Sequence, residues 1–253
     1  QFEALGSLDP ADFVPPLFLG LVELEKGDPH SALPRLREAE ARAPLNSQVL
    51  LALTRVYLLN GQREAALKTS QTLLLKSQDL TDAQRFEFGV LLAEFGENPE
   101  AEMAFGQLWE KNIRPYDSGF NLALLRYRAG RDEEALRVIE EMEGRGIRTG
   151  ETLSLRAWIC NRMGRLAPAR QSLQQAMALE PHAIEHYLDL SMVHLAEGDH
   201  SSALQVLSSA RARGLAGDRL SLQIGLVYQA SGRAAEAEAQ YRNTIEAYPL
   251  NGA

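Results

Sequence analysis

The 253-residue chain is 45% apolar and 24% charged, with a net charge of −8 and a pI near 5.3. That balance provides no general basic field for a phosphate backbone, and the single cysteine, Cys160, rules out an intrachain disulfide framework. No stretch approaches the roughly 18 consecutive apolar residues of a membrane span, and no signal peptide is visible. The chain starts at Gln1 rather than Met, so it reads as a mature or trimmed product.

Ala, Leu, Glu and Arg dominate and β-branched residues are sparse, which predicts helix throughout. At the start, Phe2, Leu5 and Pro10 have the spacing of Leu36, Ala39 and Pro44, so residues 1–12 read as the tail of a preceding second helix. From there a helix-turn-helix unit recurs at 13–46, 47–81, 82–115, 116–149, 150–183, 184–217 and 218–253. Gly27, Gly61, Gly96, Gly130, Gly164, Gly198 and Gly232 are 34, 35, 34, 34, 34 and 34 residues apart. Five residues after each comes an alanine, from Ala32 to Ala237, and seven before each stands a small residue: Gly20, Thr54, Gly89, Ala123, Ala157, Ser191 or Gly225.

Each glycine is expected to end a first helix in a left-handed conformation. The small residue and the alanine let that helix cross the second one closely. Nine residues past the glycine a larger apolar group returns (Leu36, Phe105, Ile139, Leu173, Leu207, Tyr241), with Ser70 the exception, and Pro44, Pro181 and Pro249 stop second helices. Pro34, inside the second helix of the first unit, should remove one hydrogen bond and bend it. Arg156 breaks an otherwise apolar column, and the one extra residue of the second unit falls in the 76–81 connection. Pro249-Leu250-Asn251 repeats Pro44-Leu45-Asn46, so both ends read as cut from a longer array.

The spacing resembles the tetratricopeptide repeat family, whose pattern of small residue, alanine and closing proline is matched from about Phe13 to Pro249. The resemblance implies an all-α, right-handed superhelical solenoid of about seven repeats, in which stacked copies share one core.

No motif for chemistry survives inspection. His186, Asp189 and His194 fall on one helix with His182 four residues earlier, but His182 follows Pro181 into a turn and His194 occupies a packing slot, so no metal site is expected. Cys160 shares that slot and reads as a buried thiol. Gly144–Gly150 joins two helices and reads as a turn rather than a phosphate loop. Paired carboxylates such as Glu133-Glu134 sit on an outer helix, where solvated charge is the default. Neither a catalytic residue nor a cofactor is expected.

The family resemblance places ligands along the first helices. Carried over by register, it puts Leu17, Leu21, Leu51, Arg55, Phe86, Val90, Phe120 and Leu124 on that surface, followed by Ser154, Trp158, Leu188, Met192, Leu222 and Leu226. Arg55, Asn121, Tyr127, Asn161 and Arg162 punctuate the row with polar groups. Repeat domains that grip acidic chaperone tails use a Lys/Asn/Arg constellation there; Leu17, Leu21 and Leu51 stand where its first members would be. The expected groove residues are therefore Arg55, Phe86, Phe120, Asn121, Tyr127, Trp158, Asn161, Arg162 and Met192. The expected function is a non-catalytic scaffold that holds a peptide or amphipathic helix in an apolar groove, with no nucleic acid, no membrane span and further association through the end repeats.

Two alternatives stay open. The chain could be the adaptor segment of a larger enzyme. Arg131–Arg148 also looks like a pentatricopeptide repeat, a reader of single-stranded RNA, although the period, the prolines and the charge oppose that. Basic residues that are mostly arginine, with abundant Ala and Leu, hint at a GC-rich bacterial source. The compartment is left open.

Overall fold

In the computed structural model, residues 12–76 and 79–248 are described. They form fourteen helices: α1 (Val14–Glu25), α2 (Pro29–Arg42), α3 (Ser47–Leu59), α4 (Arg63–Lys76), α5 (Asp82–Glu94), α6 (Asn98–Glu110) and α7 (Pro115–Arg128). There follow α8 (Asp132–Gly144), α9 (Gly150–Arg162), α10 (Leu166–Leu179), α11 (Ile184–Ala196), α12 (His200–Ala212), α13 (Asp218–Ala230) and α14 (Ala234–Ala247). No strand occurs among the described residues. The fold is the expected all-α helical repeat. Residues 1–11 of the predicted tail at 1–12 and the Pro249-Leu250-Asn251 echo lie outside the described residues, as do two positions of the 76–81 connection.

The recurrent glycine does what its spacing predicted. Gly27 has φ +79°, and the next amide, Asp28 N–H, reaches back to Glu23 O at 2.9 Å, closing the last turn of α1. The same six-residue closure ends α3, α5, α7, α9, α11 and α13. The alanine five residues on is buried in every copy, from 0% exposure at Ala32 to 4% at Ala237.

Helices then pack in sequential pairs, and the reason is steric. A Cβ built on Gly20 would meet the Leu36 side chain at 2.6 Å, one on Gly89 the Phe105 ring at 3.0 Å, and one on Gly225 the Tyr241 ring at 2.4 Å. Volume is therefore shared across each crossing, a large side chain facing a position with none. Where the first helix carries Thr54, the register partner shrinks to Ser70, the exception noted in the sequence. Both are fully buried, and each hydroxyl donates to its own helix, Thr54 Oγ1 to Leu50 O and Ser70 Oγ to Leu67 O. Pro34 lies within a helix that runs on unbroken to Arg42. Arg156 turns its guanidinium toward Ser172 Oγ at 3.4 Å and Glu143 at 3.9 Å.

The chain divides into two compact units at Leu125/Arg126. In the first, α1, α3 and their second helices bury a core that includes Leu17, Leu36, Leu53, Val56 and Ala66. In the second, Tyr187, Leu207, Leu220, Ile224 and Val227 are centred on α11, α12 and α13. Within each unit successive first helices touch one another, α1 with α3, α9 with α11 and α11 with α13, so they line one face. No described helix is long and apolar enough to cross a membrane.

Candidate binding surfaces

In the first unit, α1, α3 and α5 enclose an open trough of about 580 Å³. Phe18, Leu21, Leu51, Leu59, Leu91 and Phe95 make it apolar, while Arg55, Glu87 and Glu94 supply charge. Phe18 (43%), Leu59 (46%) and Phe95 (41%) are exposed, as is Arg55. Of the residues expected on this surface, Leu17, Leu21, Leu51 and Arg55 line the trough.

Phe86 and Phe120 are placed differently. Phe86 is half-buried, edge-on to Phe105 with centroids 5.5 Å apart, and the Arg114 guanidinium covers its face at 3.8 Å. Phe120, also half-buried, stacks on Tyr116 at 5.9 Å, and Asn121 donates to Asp117 O one turn back. Phe86 is engaged by the turn between α6 and α7, where Asn112 and Arg114 adopt φ of +55° and +46°, and Phe120 by Tyr116 one helical turn back on α7. Glu87, Leu91 and Phe95, one helical face over, take the trough instead. The register of the first two repeats pointed to Phe86. Phe86 does not line this trough.

In the second unit, Tyr127, Trp158 and Arg162 come together. The Arg162 guanidinium lies 3.7 Å over the Tyr127 ring and is bonded by both carboxylate oxygens of Asp132, which raises its pKa further. Trp158 is 39% exposed, its centroid 6.5 Å from that of Tyr127, and its Nε1–H donates to Asp189 Oδ2 at 2.7 Å. Asn161 is half-buried, and its Oδ1 has no protein partner. Met192 is 48% exposed, and its Sδ accepts from Gln223 Nε2. Leu222 and Leu226 continue the exposed apolar strip on α13.

Two of the histidines, His186 and His194, face carboxylates of the protein. His186 is buried, with Nδ1 at 2.9 Å from Ser154 Oγ and Nε2 at 3.0 Å from Glu180 Oε2. Glu180 also accepts the Gly150 amide at the start of α9, so its carboxylate occupies the helix terminus that the glycine-rich turn leads into. Asp79 does the same for α3, accepting Ser47 N–H at 3.1 Å. His182 lies in the turn before α11, and buried His194 faces Glu197 at 3.2 Å. Among the described residues no group of three metal-ligating side chains converges. Cys160 is buried, which pushes its thiol pKa up. The bonds of Ser154 to His186, Gly150 to Glu180 and Ser47 to Asp79 span about thirty residues, and sequence spacing alone carries no sign of them.

Asp189 is held above the usual carboxylate range by burial, partly offset by the Trp158 hydrogen bond. Because the folded-state pKa lies above the unfolded one, stability falls as pH rises through that window, and the deficit is complete above it. Asp189→Asn keeps an oxygen acceptor for Trp158 and removes the buried charge. It should raise the melting temperature at pH 7, and the gain should vanish well below the unfolded value of about 3.9. Thermal unfolding followed by circular dichroism at both pH values checks this.

The comparisons agree with this architecture. The tetratricopeptide repeat model matches residues 23–86. Residues 23–86 thus carry a tetratricopeptide repeat signature, and the described residues share the repeat fold. Its fold resembles a solved tetratricopeptide repeat protein from Parabacteroides merdae at 16% identity, covering 94% of each chain with a TM-score of 0.59. It also resembles MamA, at 17% identity over 68% of this chain and 97% of that one, with a TM-score of 0.57. A third likeness is to YrrB, described as a tetratricopeptide repeat protein with an unusual peptide-binding site. It is 16% identical over 68% of this chain and 88% of that one, with a TM-score of 0.52. No curated protein matches the sequence.

Proposed function

We propose that this tetratricopeptide repeat chain is a non-catalytic scaffold that binds a peptide or amphipathic helix on the face of its first helices. The observation that carries the reading is the trough of α1, α3 and α5. Large apolar side chains stand exposed there side by side, not scattered singly as on an ordinary surface. Its volume falls in the range of roughly 300–1,000 Å³ typical of binding clefts. Aliphatic and aromatic walls with a few charges suit the apolar edge of a short helix, with Arg55, Glu87 and Glu94 orienting it. The peptide-binding site of the structurally similar YrrB is consistent with this use of the fold.

Phe18 and Phe95 provide the test, because both are exposed and their replacement leaves the core intact. Peptides selected from a random display library on the wild-type chain should carry two or three aliphatic or aromatic residues at helical spacing. They should bind Phe18→Asp/Phe95→Asp at least tenfold more weakly, since burying each side chain is worth roughly 1.5–3 kcal/mol. Undiminished binding of those peptides by a variant with unchanged helical circular dichroism would refute the assignment.

A further inference from the structure

Three arginines of this chain share one arrangement, a guanidinium over an aromatic ring and ion-paired to a carboxylate. Arg114 lies 3.8 Å over Phe86 and 3.1 Å from Asp117. Arg162 covers Tyr127 and binds Asp132. Arg233 lies 4.5 Å over Tyr228 and 2.9 Å from Glu236. Trp158 and Asp189 make a fourth aromatic–carboxylate pair, joined by the 2.7 Å bond from Nε1–H to Oδ2. Among the described residues no arginine or lysine lies over that ring or is ion-paired to that carboxylate; the Arg219 charge acts on Asp189, but its guanidinium is paired to Glu185 at 3.0 Å.

We infer that Trp158 and Asp189 form a recognition site for the cationic side chain of a peptide segment, an arginine or lysine flanked by aliphatic residues. The inference rests on the reading of the chain as a peptide-binding scaffold, but it concerns the second unit and not the trough of the first. Its physical basis is charge complementarity. The indole is the strongest ring for cation–π attraction, and its edge is pinned by Asp189, so the ring face is preorganised. Asp189 Oδ1 remains free of any hydrogen bond from the described residues, and burial makes its negative charge costly unless a cation arrives. Met192, one turn beyond Asp189, and Leu222 and Leu226 on α13 present the apolar flank for neighbouring aliphatic side chains.

The test uses two fluorescein-labelled helical peptides of leucine, alanine and glutamine, identical except for one arginine or glutamine on the apolar edge. They are titrated into the full chain by fluorescence anisotropy. The arginine peptide should bind roughly tenfold more tightly, the gain expected of a partly desolvated cation–π contact with a paired carboxylate. That preference should shrink with added salt. It should fall below about twofold in Asp189→Asn and in Trp158→Ala, and persist in part in Trp158→Phe. The trough variant Phe18→Asp/Phe95→Asp should keep the preference, which separates this site from the first unit's. Equal affinity for the two peptides, absence of binding by both, or an undiminished preference in Asp189→Asn overturns the proposal. So does a dimer in sedimentation that Trp158→Ala dissociates and the arginine peptide does not compete away, which would make a second copy the occupant of this face.

Discussion

Phe105→Ala should cost about 3–5 kcal/mol, the upper range for truncating a buried aromatic side chain. Phe105 is fully buried on α6, with its ring against Gly89 and edge-on to Phe86. The opposite wall is what makes this truncation severe. Gly89 has no side chain that could swing into the space, and Phe86 is clamped from its other side by Arg114. The cavity therefore stays open. Urea unfolding followed by circular dichroism measures the loss, in whichever transition contains α5 and α6, since repeat proteins need not unfold as one cooperative unit. Truncating Leu179, which is 54% exposed, should change stability by less than about 0.5 kcal/mol and serves as the reference. A loss under about 1 kcal/mol for Phe105→Ala would mean that the crossing of α5 and α6 does not depend on this ring.

The second large effect tests the shared volume at the crossings. Gly20→Leu should destabilise by about 1–3 kcal/mol or more, because even its Cβ would sit 2.6 Å from Leu36 Cγ and Cδ2. That strain exceeds the roughly 1 kcal/mol of helix propensity that any ordinary residue gains over glycine. Leu36→Ala alone should cost about 2–5 kcal/mol by leaving a hole beside Gly20. Combined, the two substitutions exchange the large and small partners across one crossing, and the double variant should be more stable than the sum of the single losses by about 0.5–3 kcal/mol. Strict additivity would show that Gly20 and Leu36 do not compete for the same space. The natural pairing of Thr54 with Ser70, two residues of intermediate and small size at the same register, is the chain's own version of that exchange.

The sequence by itself determined the helix pairs, their order and their closure. The left-handed glycine, the buried alanine and the small residue at the crossing are constraints of backbone and short-range sterics, and each recurs wherever the 34-residue period places it. Even the odd Ser70 and the buried Cys160 were legible, because a column of equivalent positions shows what each slot tolerates. Which members of the first-helix row stand open was not legible. Phe86 and Phe120 share the register of Leu17 and Leu51, yet Arg114 from the turn before α7 covers the first ring and Tyr116, one helical turn back on α7, stacks on the second. Glu87, Leu91 and Phe95 face the trough in their place. The Trp158–Asp189 and Ser154–His186 bonds likewise join residues about thirty apart. Such contacts depend on how one repeat rests upon the next, a displacement and rotation that the period of a sequence does not encode. Only the tertiary structure could decide them, because a side chain's exposure is set by its neighbours in space as much as by its place in the repeat.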